Sequence, residues 1–316
     1  MFNIIVNPSG ASGRTMKVLK EVEKILDEKK IQYHSNISYS EANFKDITKQ
    51  ITKEESDIIL IGGDGTFNVF MNSVVDFSKI HVGFLPCGSG NDFAKSLNIT
   101  KDVKNELEKI IEKKVRRELD IGEVEFITQY DKDNKAIDLF KTKRFNNACG
   151  IGFDAEICEK AEASATGLKK ALNFIGLGKL IYLAVSTKLV FTMEKSDINI
   201  ILDGKERRSY EDVWFVACMN EPYEGGGFKF GPHAKANDNK YEVCVAYGLP
   251  PTSLFKIFPY AYKGNHVKFE GIDMHEATNI EIKTKVPMWV QYDGEFDCKS
   301  DHIKLSFIKD KLQMLN

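Results

Sequence analysis

Three times in the first third of the chain a short apolar run ends in a polar, glycine-rich turn. Phe2 to Val6 runs into Asn7-Pro8-Ser9-Gly10-Ala11-Ser12-Gly13, Asp57 to Ile61 into Gly62-Gly63-Asp64-Gly65-Thr66, and Ile80 to Leu85 into Pro86-Cys87-Gly88-Ser89-Gly90-Asn91-Asp92. After the first turn, Val18, Leu19, Val22, Ile25 and Leu26 recur at helical spacing within Lys17 to Lys29. Strand, helix, strand at these intervals predicts a mostly parallel α/β sheet with helices on both faces. Ligands of such sheets sit beyond the carboxyl ends of the strands, where all three turns fall, so the turns are expected to converge on one crevice.

Beyond the charged helix expected over Val103 to Lys114 the texture changes. β-Branched and aromatic runs follow at Leu119–Ile127, Ile198–Leu202, Asp212–Met219, Tyr241–Tyr247, Ile280–Lys285, Met288–Tyr292 and Ile303–Ile308. They predict a C-terminal β-sandwich domain with helical inserts near Ala155–Ala163, Leu168–Leu189 and Leu254–Tyr262. The fold class is therefore α/β: an N-terminal, mostly parallel α/β domain followed by a β-sandwich. At 316 residues the chain is long enough for two domains. Asp131-Lys132-Asp133-Asn134-Lys135 reads as a solvated hairpin tip, without the ligand spacing of a calcium loop.

Charge and cysteine usage narrow the function classes. With 44 basic against 46 acidic residues there is no broad basic field, so nucleic acid is not an expected partner. Six scattered cysteines form no Cys-x-x-Cys pair, which argues against a disulfide framework or a zinc site and fits a reducing, cytoplasmic setting. The N-terminus has no secretory pattern. The most apolar stretch, Phe174 to Met193, is interrupted by Lys179 and Lys188 and reads as a buried or surface-docked helix rather than a membrane span.

A glycine-rich turn between a strand and a helix cradles phosphate, because backbone N–H groups approach the anion closely and the helix N-terminus adds its dipole. Gly62-Gly63-Asp64-Gly65-Thr66 has this layout, ahead of a helix expected over Phe67 to Val74. A carboxylate among such amides would repel phosphate unless it holds a metal or takes a proton, so Asp64 points to magnesium-assisted chemistry. The Walker A run, the protein-kinase motifs and the Gly-x-Gly-x-x-Gly dinucleotide fingerprint are all absent. On local grounds Asp293-Gly294-Glu295 reads first as a hairpin turn, and Asp92 reads equally as a plain helix N-terminal residue or as a functional carboxylate. His233 and His275 have no partner at ligand spacing, and Trp214 and Trp289 sit in strand patterns that make them core residues.

Taken together, Asn7-Pro8 with Gly10, Gly13 and Arg14, then Gly62-Gly63-Asp64-Gly65-Thr66, then Gly88-Ser89-Gly90-Asn91-Asp92-Phe93-Ala94 resemble the diacylglycerol kinase catalytic family. Downstream, Asn146 to Ala155, Gly225-Gly226-Gly227 leading to Pro232, and Asp293-Gly294-Glu295 extend the similarity over nearly the whole chain. The resemblance implies a nucleotide-binding domain over residues 1–118, rejoined by residues 307–316, and a lipid-binding β-sandwich over 119–306, with ATP and Mg2+ in the cleft between them. By position, Asn7, Ser9, Gly10, Arg14, Gly62, Gly63, Gly65, Thr66, Gly88, Ser89, Gly90 and Asn91 fall where the nucleotide is gripped. Asp64 and Asp92 fall at the metal, Asp293 at the general base and Glu295 beside it. Asp238, with the backbone carbonyls of Lys235 and Lys240, matches a structural magnesium site, except that Asn239 stands where the family has glycine.

The implied activity is transfer of the γ-phosphoryl group of ATP to a lipid hydroxyl, diacylglycerol first among acceptors. The implied setting is a cytoplasmic enzyme in transient, peripheral contact with a membrane and without a transmembrane segment; a homodimer is left open. Kinases for NAD share Gly-Gly-Asp-Gly-Thr, but Gly88 to Asp92 resembles the lipid kinases. Sphingoid-base or ceramide kinases, and a non-catalytic homologue that binds lipid or nucleotide, are the other readings. Intact Asp64, Asp92, Asp293 and Glu295 favour turnover.

Overall fold

The computed structural model describes residues 1–8, 13–113, 117–163 and 187–316. The chain divides into two compact units: Met1–Ile121 with Ala236–Asp238 and Ile308–Asn316, and Gly122–Lys235 with Asn239–Phe307.

In the first unit the strands β1 (Phe2–Val6), β2 (Tyr33–Ile37), β3 (Ser56–Gly62) and β4 (Ile80–Pro86) pair in parallel in the order β4-β3-β1-β2. The end of β13 (Glu295–Met314) adds a further parallel strand beside β4, with Gln313 opposite His81. Successive side chains from Ile58 to Ile61 of β3 face opposite ways, and every one of them is apolar. Ile58 and Leu60 enter a core with Phe44 of α2 (Glu41–Ile51) and Phe67, Phe70 and Met71 of α3 (Asp64–Met71). Ile59 and Ile61 enter another with Val18, Leu19 and Val22 of α1 (Arg14–Glu28) and Leu107 and Ile110 of α5 (Val103–Glu112). This is the expected sheet with helices on both faces. These β3 side chains are fully buried, each stabilising the fold by roughly 1.5–3 kcal/mol.

The second unit is antiparallel. β9 (Glu206–Met219) and β12 (Ile280–Tyr292) each pair with β7 (Ala148–Gly152) at one end and with β8 (Ser196–Leu202) at the other. The sheet therefore folds over on itself around one core, which includes Val216, Tyr241, Val243, Ile282 and Val290. β10 (Tyr241–Tyr247) and β11 (Ile272–Ala277) extend it beyond β9, and β5 (Arg117–Phe126) pairs with β6 (Thr142–Phe145). Met288 to Tyr292, read from sequence as a separate strand, is the second half of β12. The register shifts between Lys283 and Met288, where Pro287 cannot donate to a ladder. Helix α6 (Phe153–Ala163) follows β7, and α7 (Pro251–Ala261) follows β10. The insert expected near Leu168–Leu189 falls mostly outside the described residues; residues 187–192 are helical.

Candidate active site

β3 and β4 are adjacent, with Gly62 opposite Pro86, so the turns that follow them leave the sheet side by side. The Cys87 N–H donates to the Gly62 carbonyl at 2.7 Å. A Cβ on Gly63 would come within 3.1 Å of the Gly88 Cα, so these two backbones approach at a point where neither residue can carry a side chain without displacing the other. The Phe67 N–H donates to the Gly63 carbonyl at 3.0 Å, which starts α3 at Asp64, three residues earlier than sequence periodicity indicates. Asp64, Gly65 and Thr66 thereby form its first turn.

The Asp64 carboxylate accepts the N–H groups of Asp92 at 3.3 Å and Phe93 at 3.4 Å, the first amides of α4 (Asp92–Ser96). A Cβ on Gly90 would lie 3.2 Å from Asp64 Oδ2 and 3.9 Å from Asp92 Oδ2. Both carboxylates thus border the space that glycine leaves open, and Lys95 Nζ is 3.2 Å from Asp92 Oδ1. Two carboxylate oxygens facing one gap suit a hard divalent cation such as Mg2+. Among the described residues no group of three or more His, Cys, Asp or Glu side chains is placed to hold a metal, so phosphate oxygens and water would complete the shell, as magnesium prefers.

Arg14 is exposed at the start of α1, its Nη1 3.4 Å from the Cys87 carbonyl. The Thr15 hydroxyl donates to the Asn7 carbonyl at 3.0 Å. The structure therefore brings Arg14 together with the β3 and β4 turns; Ser9 and Gly10 lie outside the described residues. Burial pushes the Cys87 thiol up to about 11, which makes it an inert neighbour. Asn91 holds the left-handed conformation at φ +52° and donates from Nδ2 to the Gly88 carbonyl at 2.8 Å, closing the β4 turn.

In the second unit Asp293 and Gly294 take φ of +54° and +83°, the conformation of a tight two-residue hairpin between Tyr292 and Glu295. The Asp293 carboxylate accepts three backbone N–H groups: Asn146 at 2.8 Å on Oδ2, and Asn147 at 2.7 Å and Ala148 at 3.2 Å on Oδ1. Its own N–H donates to the Ala148 carbonyl at 2.9 Å. The hairpin reading and the functional reading of Asp293 are thus compatible, since the turn conformation is what aims the carboxylate at these amides.

Gln291, fully buried two residues before Asp293, ties this turn to a buried acidic pair. Its Oε1 accepts the Gly294 N–H at 2.8 Å, and its Nε2 donates to Asp154 Oδ2 at 3.0 Å and to Glu224 Oε1. Burial raises the Asp154 carboxyl to about 6, against the opposing hydrogen bond from Gln291. Asn220 Nδ2 donates to the Asn146 carbonyl at 2.7 Å, and the buried Asn146 side chain has no hydrogen-bond partner among the described residues. Gln291, Glu224 and Asn220 have no place in the sequence reading. The available signal for Gln291 was one amide in the otherwise apolar run Met288 to Tyr292.

Glu295, Lys235, Asp238 and Lys240 are exposed, and Asn239 takes φ +56°, the conformation that glycine would otherwise supply. His275 Nε2 lies 2.6 Å from the Tyr210 hydroxyl, and Trp214 and Trp289 are buried, as read from their strand patterns. Asp131 Oδ1 accepts the N–H groups of Asp133 and Lys135, closing the expected hairpin tip. None of the six cysteines forms a disulfide, and no helix among the described residues is long and apolar enough to cross a membrane.

Comparison with known proteins matches residues 1–124 to the diacylglycerol kinase catalytic domain and residues 149–304 to the YegS C-terminal NAD kinase β-sandwich-like domain. YtlR of Bacillus subtilis (strain 168), a candidate lipid kinase, is 27% identical over 296 residues, covering 92% of each chain. A diacylglycerol kinase of the same organism is 23% identical, over 93% of this chain and 89% of that one. The crystal structure of a diacylglycerol kinase from Bacillus anthracis str. Sterne superposes with a TM-score of 0.69 at 18% identity, over 99% of this chain and 96% of the other; at that identity the likeness speaks for the fold.

Proposed function

We propose, from the premise that the chain belongs to the diacylglycerol kinase catalytic family, that it transfers the γ-phosphoryl group of ATP to a lipid hydroxyl, diacylglycerol giving phosphatidic acid. The observation that carries this reading is the pair of touching turns at the ends of β3 and β4, with the Asp64 and Asp92 carboxylates bordering the gap at Gly90. Glycine backbone in close approach, helix N-terminal amides and an oxygen pair for a divalent cation are what a triphosphate requires.

In this reading the amides of Gly62, Gly63, Gly65 and Thr66, the β4 turn from Gly88 to Asn91, and Asn7, Ser9, Gly10 and Arg14 hold the nucleotide. Asp64 and Asp92 would hold magnesium, which would supply neutralisation of phosphate charge. Asp293 takes the proton from the acceptor hydroxyl while that oxygen bonds to the γ-phosphorus and the β–γ bridging bond breaks, releasing ADP. The three amides on the Asp293 carboxylate fix its position before substrate arrives, so no ordering of the side chain is left for the reaction. Glu295 is assigned to assist a metal or cationic group near that base, and Asp238 with the Lys235 and Lys240 carbonyls to a structural magnesium. The domain roles follow: nucleotide over residues 1–118 and 307–316, lipid over 119–306.

The test is transfer of labelled γ-phosphate from ATP with magnesium into detergent micelles carrying diacylglycerol, ceramide or sphingosine in turn, with soluble NAD as the fourth acceptor. Label in phosphatidic acid, lost with EDTA and in Asp293→Asn, supports the assignment. Label only in NAD gives the other enzyme class suggested by the match of residues 149–304. Label nowhere favours an untested acceptor or the binding homologue.

A further inference from the structure

Helix α7 buries one side and leaves the other to solvent. Leu254, Ile257 and Ala261 enter the core of the second unit, as do Leu189 and Val190 from residues 187–192. The opposite sides carry Phe191, Phe255, Tyr260 and Tyr262, exposed by 64, 39, 51 and 53%. These are four of the nine large exposed apolar side chains among the described residues, so exposed aromatic surface is concentrated here rather than scattered. The Phe191 and Phe255 rings meet at 6.1 Å; Tyr262 stacks on Phe228 at 4.2 Å and Tyr260 packs edge-on to Phe269 at 5.0 Å. The rings are held in place, and their burial against a partner would require little further ordering.

Within residues 187–192 and 251–263 every charged side chain is a lysine, whereas Glu194 is exposed just beyond the first segment. Lys188, Lys256 and Lys263 are exposed, α7 contains no Asp or Glu, and none of the three ammonium groups has an ion-pair partner among the described residues. Elsewhere in the same unit exposed lysines do find carboxylates, as Lys240 with Glu276 and Lys285 with Asp197. Aromatic rings interleaved with unpaired lysines on a helix lying along the surface match the interfacial zone of an anionic bilayer, where rings settle at headgroup depth and ammonium groups meet phosphates.

We propose that the face formed by α7 and residues 187–192 is the surface with which the protein docks on a bilayer containing anionic lipid. It rests on the lipid-kinase reading, which it deepens by naming where the acceptor's membrane is met. The apolar stretch singled out in the sequence, Phe174 to Met193, is described only from residue 187, and the docking face takes Phe191 from it; the remaining rings come from α7 and the residues after it.

The experiment is flotation of the full chain, without ATP, on vesicles of phosphatidylcholine alone and of phosphatidylcholine with phosphatidylglycerol. The wild type is expected to float with the anionic vesicles and to be released by salt. Phe191→Ser with Phe255→Ser, and separately Lys256→Glu with Lys263→Glu, should each weaken partitioning by about tenfold or more. Both variants should phosphorylate a water-soluble short-chain diacylglycerol as the wild type does. Absence of wild-type flotation, or undiminished flotation of both variants, overturns the proposal. So does loss of self-association in the variants with unchanged flotation, which would make this face a contact between copies. If flotation responds as expected while no diacylglycerol is phosphorylated by any form, the docking face stands and the kinase reading fails.

Discussion

Replacing Asp154 with Asn should stabilise the protein increasingly as pH rises. Burial raises the Asp154 carboxyl from an ordinary value of 3.8 to about 6, so the folded state binds the proton more tightly than the unfolded chain. For a carboxyl raised in this way, the folded protein is favoured while the group is protonated and loses that advantage as pH climbs through the folded value. A shift of about 2 units corresponds to about 3 kcal/mol once both states are ionised. Linkage gives about 1 kcal/mol of this penalty at about pH 4.5 and nearly all of it at about pH 7.5. An Asn with its oxygen at the Oδ2 position keeps the hydrogen bond from Gln291, and its Nδ2 replaces Oδ1, a buried atom without a partner among the described residues. That unpaired donor costs about 1 kcal/mol at any pH. Urea unfolding of Asp154→Asn and wild type at the two pH values should therefore show a difference that moves by about 2 kcal/mol in favour of the variant between acid and neutral solution. Parallel pH dependences in the two proteins would refute the assignment of a buried, proton-retaining carboxyl to this position.

Other substitutions test the same constellation and the phosphate turns. Gly150→Ala would drive a Cβ into Asp154 Oδ2 and to 2.8 Å from Gln291 Nε2; a loss of about 3 kcal/mol or more in urea unfolding is expected, and near-neutral stability would show that the pair can move aside. Gly63→Ala must displace the Gly88 backbone at 3.1 Å, so KM for ATP should rise by about tenfold with little change in that for the lipid; equal effects on both would point to general unfolding. Asp293→Asn should lower kcat by roughly 10² to 10⁴. Its amide must also set a donor against one of three backbone donors, so the rate should be referred to the folded fraction measured by circular dichroism. Unchanged kcat would remove Asp293 from the chemistry.

How far the sequence could be read followed burial. β3 was legible because Ile58 to Ile61 are apolar on both faces, and the phosphate turns because glycine, asparagine and aspartate cluster where a strand must stop. β9 was read only from Asp212, since Glu206 to Ser209 are exposed and a polar strand carries no apolar period; its ladder with β8 holds those residues extended. β13 was read only over Ile303–Ile308, although it runs from Glu295 to Met314, because polar and charged residues fill most of its remaining positions even where they are half-buried. The start of α3 was misplaced because Asp64, Gly65 and Thr66 are poor helix formers held in the first turn by the Gly63 carbonyl and by Asp64's contacts with α4. Roles could be suggested for single carboxylates, whereas the partners of Gln291 are 137 and 67 residues away. A hydrogen bond between such distant residues has no local signature.

The Gln291 amide has a direction, and the direction can be tested. Its two N–H protons are spent on Asp154 and Glu224, which leaves Oε1 as the only atom able to accept from Gly294. Turning the amide over would set oxygen against two carboxylates and N–H against N–H, so the acidic pair fixes the orientation that supports the Asp293 turn. Gln291→Glu keeps the acceptor for Gly294 and puts a third carboxylate against the other two. At an effective dielectric near 20 each close pair repels by several kcal/mol unless a proton is taken up, and a net loss of about 3 kcal/mol or more at neutral pH is expected, with kcat falling as the turn loosens. Adding Asp154→Asn to Gln291→Glu reverses donor and acceptor on one arm, because the asparagine amide then donates where Gln291 did. The double variant should recover about half of the lost stability and part of kcat. A double variant no more stable than Gln291→Glu alone would show that the amide is only a space filler and that the acidic pair does not orient the turn.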